Sequence, residues 1–360
     1  MRNPGTTRYG HCNVICDMLA AAYTERSGSM FKLTKRSYPI AALLPILLLT
    51  SCGGESGVPG VPEFVTIATG GTGGVYYPIG GAMGSMLASE IEGVQSGTAE
   101  TTGGSVENLK LLGDERTTIA MAMNDAVYNA VNGEGDFKEP QNVCTIGVMY
   151  PNVLQVVTTE ATGIKSFQDL AGKRVSVGDA GSATELMFNN VVTTLGMSFE
   201  DFGEAQHLPF DGQTTAIRNG QLDVGAWVVA PGASSIQDLA SSEDIKVVPL
   251  DEESLNKVTE KYPYYIATEL EAATYDGQEQ AVPVAATWNS LLMSTNTSQE
   301  FVGSVTRAVH ENVDALASGH PAGGEIAPEN ITDAVAPVCP GSMAYFKEAG
   351  VEIPEELRPS

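Results

Sequence analysis

Positive charge is scarce in this chain. Nineteen Lys and Arg face 44 Asp and Glu over 360 residues, a formal net charge of −25. Phosphates would be repelled, which excludes nucleic acid as a partner, and an anionic membrane surface gains no support either. Histidine is nearly missing: beyond the N-terminal segment only His207, His310 and His320 occur. His310 lies near Arg307 and Glu311 and reads as part of a solvated helix face. No Gly-x-Ser-x-Gly elbow, His-Glu-x-x-His, Cys-x-x-Cys or zinc-type Cys/His spacing is present. With no base beside an evident nucleophile, the expectation is a protein that is not an enzyme and uses neither metal nor cofactor. Long apolar runs are absent too. The longest candidate, Ile40 to Leu49, has ten residues, and a spanning helix needs about 20.

That short run has its own meaning. Lys32, Lys35 and Arg36 precede it, and Leu49-Thr50-Ser51-Cys52 follow, resembling a bacterial lipobox whose cysteine is lipidated. Residues 1–51 therefore read as a signal and leader. Met30 reads as the true start and Cys52 as the lipid-bearing first residue of an exported, envelope-anchored chain. Removing residues 1–51 leaves 13 basic against 42 acidic residues, a net charge of −29. Three cysteines remain. With Cys52 lipidated, Cys144 and Cys339 either pair, as an oxidising envelope permits, or stay as two buried thiols. Residues 52–63, CGGESGVPGVP and Glu63, read as a flexible tether.

Folding begins at Phe64. The stretch FVTIATGGTGGVYYPIGGAM starts as a strand, turns through Gly70, Gly71, Gly73 and Gly74, and enters a helix. Pro78 suits the first turn, and Ile79, Met83 and Leu87 keep helical spacing. Glycine there permits positive φ and close backbone approach, so bare amides can be aimed at a small anion or polar ligand. It is no dinucleotide fingerprint, because position 76 is Tyr76 and not glycine, and no P-loop, because no Gly-Lys-Ser/Thr follows. A tight turn with two core tyrosines is the simpler alternative.

The plan then repeats. Ser105 caps a helix with Val106, Leu109 and Leu112 on its apolar face. Thr118–Met123, Val143–Met149 and Val153–Thr158 read as strands, with a crossing between halves near Pro151. In the second half, Lys173–Gly178 is a strand. Ser182 and Glu185 form a capping box, Asp211-Gly212-Gln213 opens a helix, and Leu222–Val229 is a strand ending at a turn. Val284–Met293 returns to the first half, and Ser298–Ala317 reads as one helix. The expected architecture is α/β in two lobes, 64–150 plus 264–360 and 151–263, with a cleft between them and hinge strands joining them. Gly181-Ser182-Ala183-Thr184-Glu185 offers amides and hydroxyls to that cleft, or is an ordinary capped helix. Trp227 lies at a strand end that faces the cleft, or in the core.

Several separated stretches share one resemblance: TGGTGGVYYPIGGAM, TTGGSVENLKLL, GIKSFQDLAGKRVSVG, GSATE, EKYPYY and HPAG, spanning about Phe64 to Glu352. Together they resemble the solute-binding proteins of tripartite ATP-independent periplasmic (TRAP) transporters, in their TAXI branch. That resemblance implies a two-lobed periplasmic-binding-protein fold (type II-like) that closes on its ligand. It also implies a periplasmic location, a membrane permease as partner, and a small organic acid such as glutamate or 2-oxoglutarate as ligand. By motif position it implies ligand contacts from Gly73, Gly74, Tyr76, Ser105 and Asn124 in one lobe. The other lobe would supply Ser182, Thr184, Phe210, Gln213 and Trp227. A sensory binding protein of the same fold, signalling to a membrane histidine kinase, is the alternative. Arg and Lys are scarce near these motifs, so a carboxylate would rest on amides, hydroxyls and helix dipoles. One carboxylate can be held that way; a second is harder against the surrounding charge.

Overall fold

The computed structural model describes residues 58–359. The leader, Cys52 and the first half of the tether lie outside the described residues.

The first half of the chain carries β1 (Phe64–Ala68), α1 (Tyr76–Glu90), β2 (Ser96–Glu100), α2 (Ser105–Gly113), β3 (Ile119–Met123) and α3 (Asn124–Asn132). A long strand, β4 (Val143–Thr159), leads to β5 (Arg174–Ser176), α4 (Ala183–Thr194), β6 (Glu204–Gln206), α5 (Phe210–Arg218) and β7 (Val224–Val229). Then come α6 (Ser234–Ala240), β8 (Ile245–Val247), α7 (Glu252–Lys261), β9 (Ile266–Leu270) and the second long strand, β10 (Val282–Ser294). Helices α8 (Gln299–Glu311), α9 (Val313–Ala317) and α10 (Met343–Glu348) close the chain.

The ten strands among the described residues share one sheet, ordered β2-β1-β3-β10-β4-β7-β5-β6, with β8 beside β4 and β9 beside β10. In each half the first strand lies between the second and third, and all three run parallel: β2-β1-β3 mirrors β6-β5-β7. The repeated plan of the sequence is thus a repeated topology. Between the two triplets run β4 and β10, antiparallel to each other and to their neighbours. Successive residues of β3 enter different cores, Ile119 and Met121 on one face and Ala120 and Ala122 on the other. A strand's period of two does this wherever helices cover both faces of a sheet.

Three expectations change. The strands foreseen on either side of Pro151 are one strand, because Pro151 sits opposite Trp288 beside a register shift where no ladder donor is needed. The strand read over Thr118–Met123 does end at Met123, and a helix not read from the sequence, α3, begins at Asn124. The helix expected over 298–317 breaks at Asn312, whose φ of −125° and ψ of 39° are not helical and whose Nδ2 donates to the Ala308 carbonyl. His310 is buried, not solvated; it packs on Tyr345 and Phe346, with Nδ1 2.8 Å from the Thr306 carbonyl oxygen.

Cys144 on β4 and Cys339 are joined by a disulfide, their Cα atoms 4.9 Å apart. Around it, Cys339 N–H donates to the Thr145 carbonyl and Thr145 N–H to that of Pro337. The C-terminal segment is thereby fastened along the long strand.

Candidate functional site

Two sets of loop-to-helix junctions meet in front of β4. On one side the glycine turn leaves β1 and enters α1, with Gly74 N–H donating to the Gly71 carbonyl at 3.0 Å. None of Gly70, Gly71, Gly73 or Gly74 takes positive φ, contrary to one reason offered for glycine there. The reason is proximity. A Cβ on Gly73 would lie 2.0 Å from Asp211 Oδ1, and one on Gly74 would lie 3.4 Å from the Phe210 ring.

The start of α2 completes this jaw. Gly104 does need its glycine, at φ 111°. Gly103 N–H donates to Glu107 at 2.7 Å and Gly104 N–H to Thr102 Oγ1 at 3.1 Å. Asn108, fully buried, ties the jaw to the sheet by donating from Nδ2 to the Thr69 and Met121 carbonyls at 2.7 and 2.8 Å. Ser105 Oγ accepts from Met123 N–H at 3.1 Å. Tyr76 donates its hydroxyl to Asn289 on β10, and Asn289 donates to the Tyr150 carbonyl at 2.6 Å. Burial pushes the Tyr76 phenol far above its ordinary range, so it stays neutral.

The opposing jaw begins at α4. Ser182 Oγ accepts from Glu185 N–H at 3.1 Å, which is one half of the capping box read from the sequence. The other half is not made, because Ser182 N–H donates to the Asp179 carbonyl and the Glu185 carboxylate accepts from Gly181 N–H at 3.2 Å instead. Thr184 Oγ1 accepts from Val228 N–H at 3.3 Å. Phe210 stands at the start of α5 against Trp227.

The jaws touch. Thr72 Oγ1 donates to Asp211 Oδ2 at 3.2 Å, and Ser234 Oγ donates to the Gly73 carbonyl at 3.4 Å. Behind these contacts lies a cavity of about 70 Å³ open to the centre of a water molecule. Of the residues expected there, Gly74, Tyr76, Ser105, Ser182, Thr184 and Phe210 line it. Gly73 is not among the lining residues; it stands against Asp211.

Three expected contacts point elsewhere. Asn124 is spent on structure: Nδ2 donates to the Asp333 carbonyl at 2.7 Å, and Oδ1 accepts from Ser290 at 2.7 Å. Gln213 donates from Nε2 to the Leu208 and Ala226 carbonyls. Trp227 is 0 % exposed, and its ring lies over Gly225, where a Cβ would come within 2.4 Å. Both side chains lie behind the cavity wall. Among the lining residues that were missed are Asn152 on β4 and Asp179 before α4. Asn152 follows a proline inside a strand and carries no local motif; Asp179 looks like a turn residue.

The sequence profile of the NMT1-like family matches residues 67–350. Among solved structures, the chain is similar to PhnD1 from Prochlorococcus marinus in complex with methylphosphonate. Identity there is 9%, over 72% of this chain and 89% of that one, with a TM-score of 0.50. It is also similar to the periplasmic aliphatic sulphonate binding protein SsuA from Escherichia coli, at 13% identity over 80% and 84% of the two chains and a TM-score of 0.42. The alkanesulfonate-binding protein SsuA from Xanthomonas axonopodis pv. citri, bound to MOPS, matches at 12% identity over 80% and 91%, with a TM-score of 0.46. Identities this low speak for the fold alone, and the fold is that of the two-lobed periplasmic binding proteins.

Proposed function

The chain belongs to the NMT1-like family, and on that premise we propose that it is an extracytoplasmic receptor that closes two lobes on a small organic acid. The observation that carries this reading is the cavity held between two jaws of like topology, latched by Thr72 and Asp211 across its mouth. Helix starts and hydroxyls gathered around one cavity suit a carboxylate, and lobe closure is the motion such a design serves. Lobe I is residues 64–150 plus 264–360 and lobe II residues 151–263, with β4 and β10 as the hinge. Calorimetric titration of the mature chain with a panel of amino, oxo and hydroxy acids tests the reading; absence of heat throughout the panel overturns it.

The motifs resembling TAXI proteins support a TRAP permease as the membrane partner. Reconstitution with the permease subunits in proteoliposomes is the test. Uptake driven by an ion gradient without ATP supports the assignment, and uptake that requires ATP hydrolysis overturns it. The lipobox supports periplasmic placement through a lipid on Cys52. A Cys52→Ser variant is expected to leave the membrane fraction.

A further inference from the structure

We infer that the ligand is a zwitterionic α-amino acid with an uncharged side chain, held by one carboxylate and one ammonium. This rests on the receptor reading above and narrows it.

The central observation is Asn152. It lies on the hinge strand β4, lines the cavity and is 3 % exposed, and its Oδ1 is buried without a hydrogen-bond partner among the described residues. An unpaired acceptor at such depth is unfavourable, and buried polar groups are nearly always satisfied. A donor on the ligand satisfies this one. An ammonium offers three N–H groups, a 2-hydroxy acid offers one, and a 2-oxo acid offers none.

Charge points the same way. The helix starts that would receive an anion already carry carboxylates of the protein. Glu107 sits on Gly103 N–H before α2, and Glu185 sits on Gly181 N–H before α4. Asp179 adds a third at the cavity wall. Among the described residues, no Lys or Arg lines the cavity to offset them. Arg174 is paired with Asp223. A dicarboxylate would bring two negative charges into this setting. A zwitterion brings none in sum, placing its carboxylate at the start of α1, whose first turn holds no acidic residue, and its ammonium toward Asn152 and Asp179. The remaining wall is apolar, formed by Met123, Phe210, Pro209, Val228 and Val229. It suits an uncharged side chain.

The experiment is calorimetric titration of the mature chain with matched sets. These are L-alanine, pyruvate and L-lactate; L-valine, 3-methyl-2-oxobutanoate and 2-hydroxy-3-methylbutanoate; and L-glutamine, L-glutamate and 2-oxoglutarate. The expected result is that the tightest probe is an uncharged amino acid, bound at least ten-fold more tightly than its oxo or hydroxy counterpart and than either dicarboxylate. An oxo acid, hydroxy acid or dicarboxylate bound as tightly overturns this inference and leaves the receptor reading standing. No binding by any probe overturns both. Asn152→Leu should weaken the amino acid at least ten-fold, and unchanged affinity overturns the inference. If that variant does not fold, Asn152→Asp serves: amino-acid binding should survive or tighten, and its loss in a natively folded variant is the overturning result.

Discussion

Asp211 stands across the cleft from Gly73, accepting a hydrogen bond from the neighbouring Thr72 and filling the space where a Gly73 side chain would lie. Each of these two residues restricts the other. The Asp211 carboxylate stands against bare backbone there, and only glycine allows that approach.

Gly73→Ala should push the Asp211 carboxylate aside and break its bond to Thr72. One such hydrogen bond contributes about 0.5–1.5 kcal/mol, so ligand affinity should fall roughly two- to thirteen-fold. Asp211→Ala should weaken binding by a similar factor. Because both variants remove the same contact, the double variant should lose little more than either single one. Full additivity in the double-mutant cycle would contradict the latch.

Asn108 should be a stability residue. Its Nδ2 serves two buried carbonyls, on the β1 turn and on β3. Asn108→Leu leaves both acceptors unpaired at about 1–3 kcal/mol each. Urea denaturation should show a lower midpoint with an unchanged slope; a midpoint equal to that of the parent would count against this account.

Stability should fall as pH rises from about 4 to about 7. Burial pushes the Asp125 carboxyl up to about 7, partly opposed by hydrogen bonds from the Tyr265 hydroxyl and Ala126 N–H, at 2.9 and 2.7 Å. The folded chain then holds this proton more tightly than the unfolded chain, whose carboxyl titrates near the ordinary value. Between those two pKa values the folded state carries more protons, so raising pH favours unfolding, by about 1.4 kcal/mol per pH unit. Above about 7 the contribution levels off. Asp125→Asn should remove this component and be the more stable protein at pH 8. Denaturation midpoints across the pH range, compared between parent and variant, decide it.

Reducing the Cys144–Cys339 disulfide, which spans a sequence separation of 195, should lower stability by about 2–5 kcal/mol. The unfolded chain regains the freedom that the cross-link removes. Thermal melts with and without reductant, on the parent and on a Cys144→Ala/Cys339→Ala variant, should converge only for the variant.

The sequence by itself determined what depends on neighbours along the chain. Strand, glycine turn and helix start recur in each half, and the Ser182–Glu185 cap forms as its spacing requires, since the atoms involved lie within one helical turn. Ser105, Tyr76 and Thr184 reach the cavity for the same reason: their place at a helix start also sets their direction. Only the tertiary structure decided matters that depend on what another segment brings close. It made β4 continuous through Pro151, because β10 supplies a register shift where the missing N–H does no harm. It buried His310 beneath Tyr345 and Phe346. It turned Asn124, Gln213 and Trp227 away, because distant carbonyls and the Gly225 gap claimed their side chains. It also brought Asp211 to Gly73, across 138 positions of sequence, and set Asn152 unpaired at the cavity's edge. No local pattern encodes either placement, since each arises from two halves of one sheet meeting through their hinge strands.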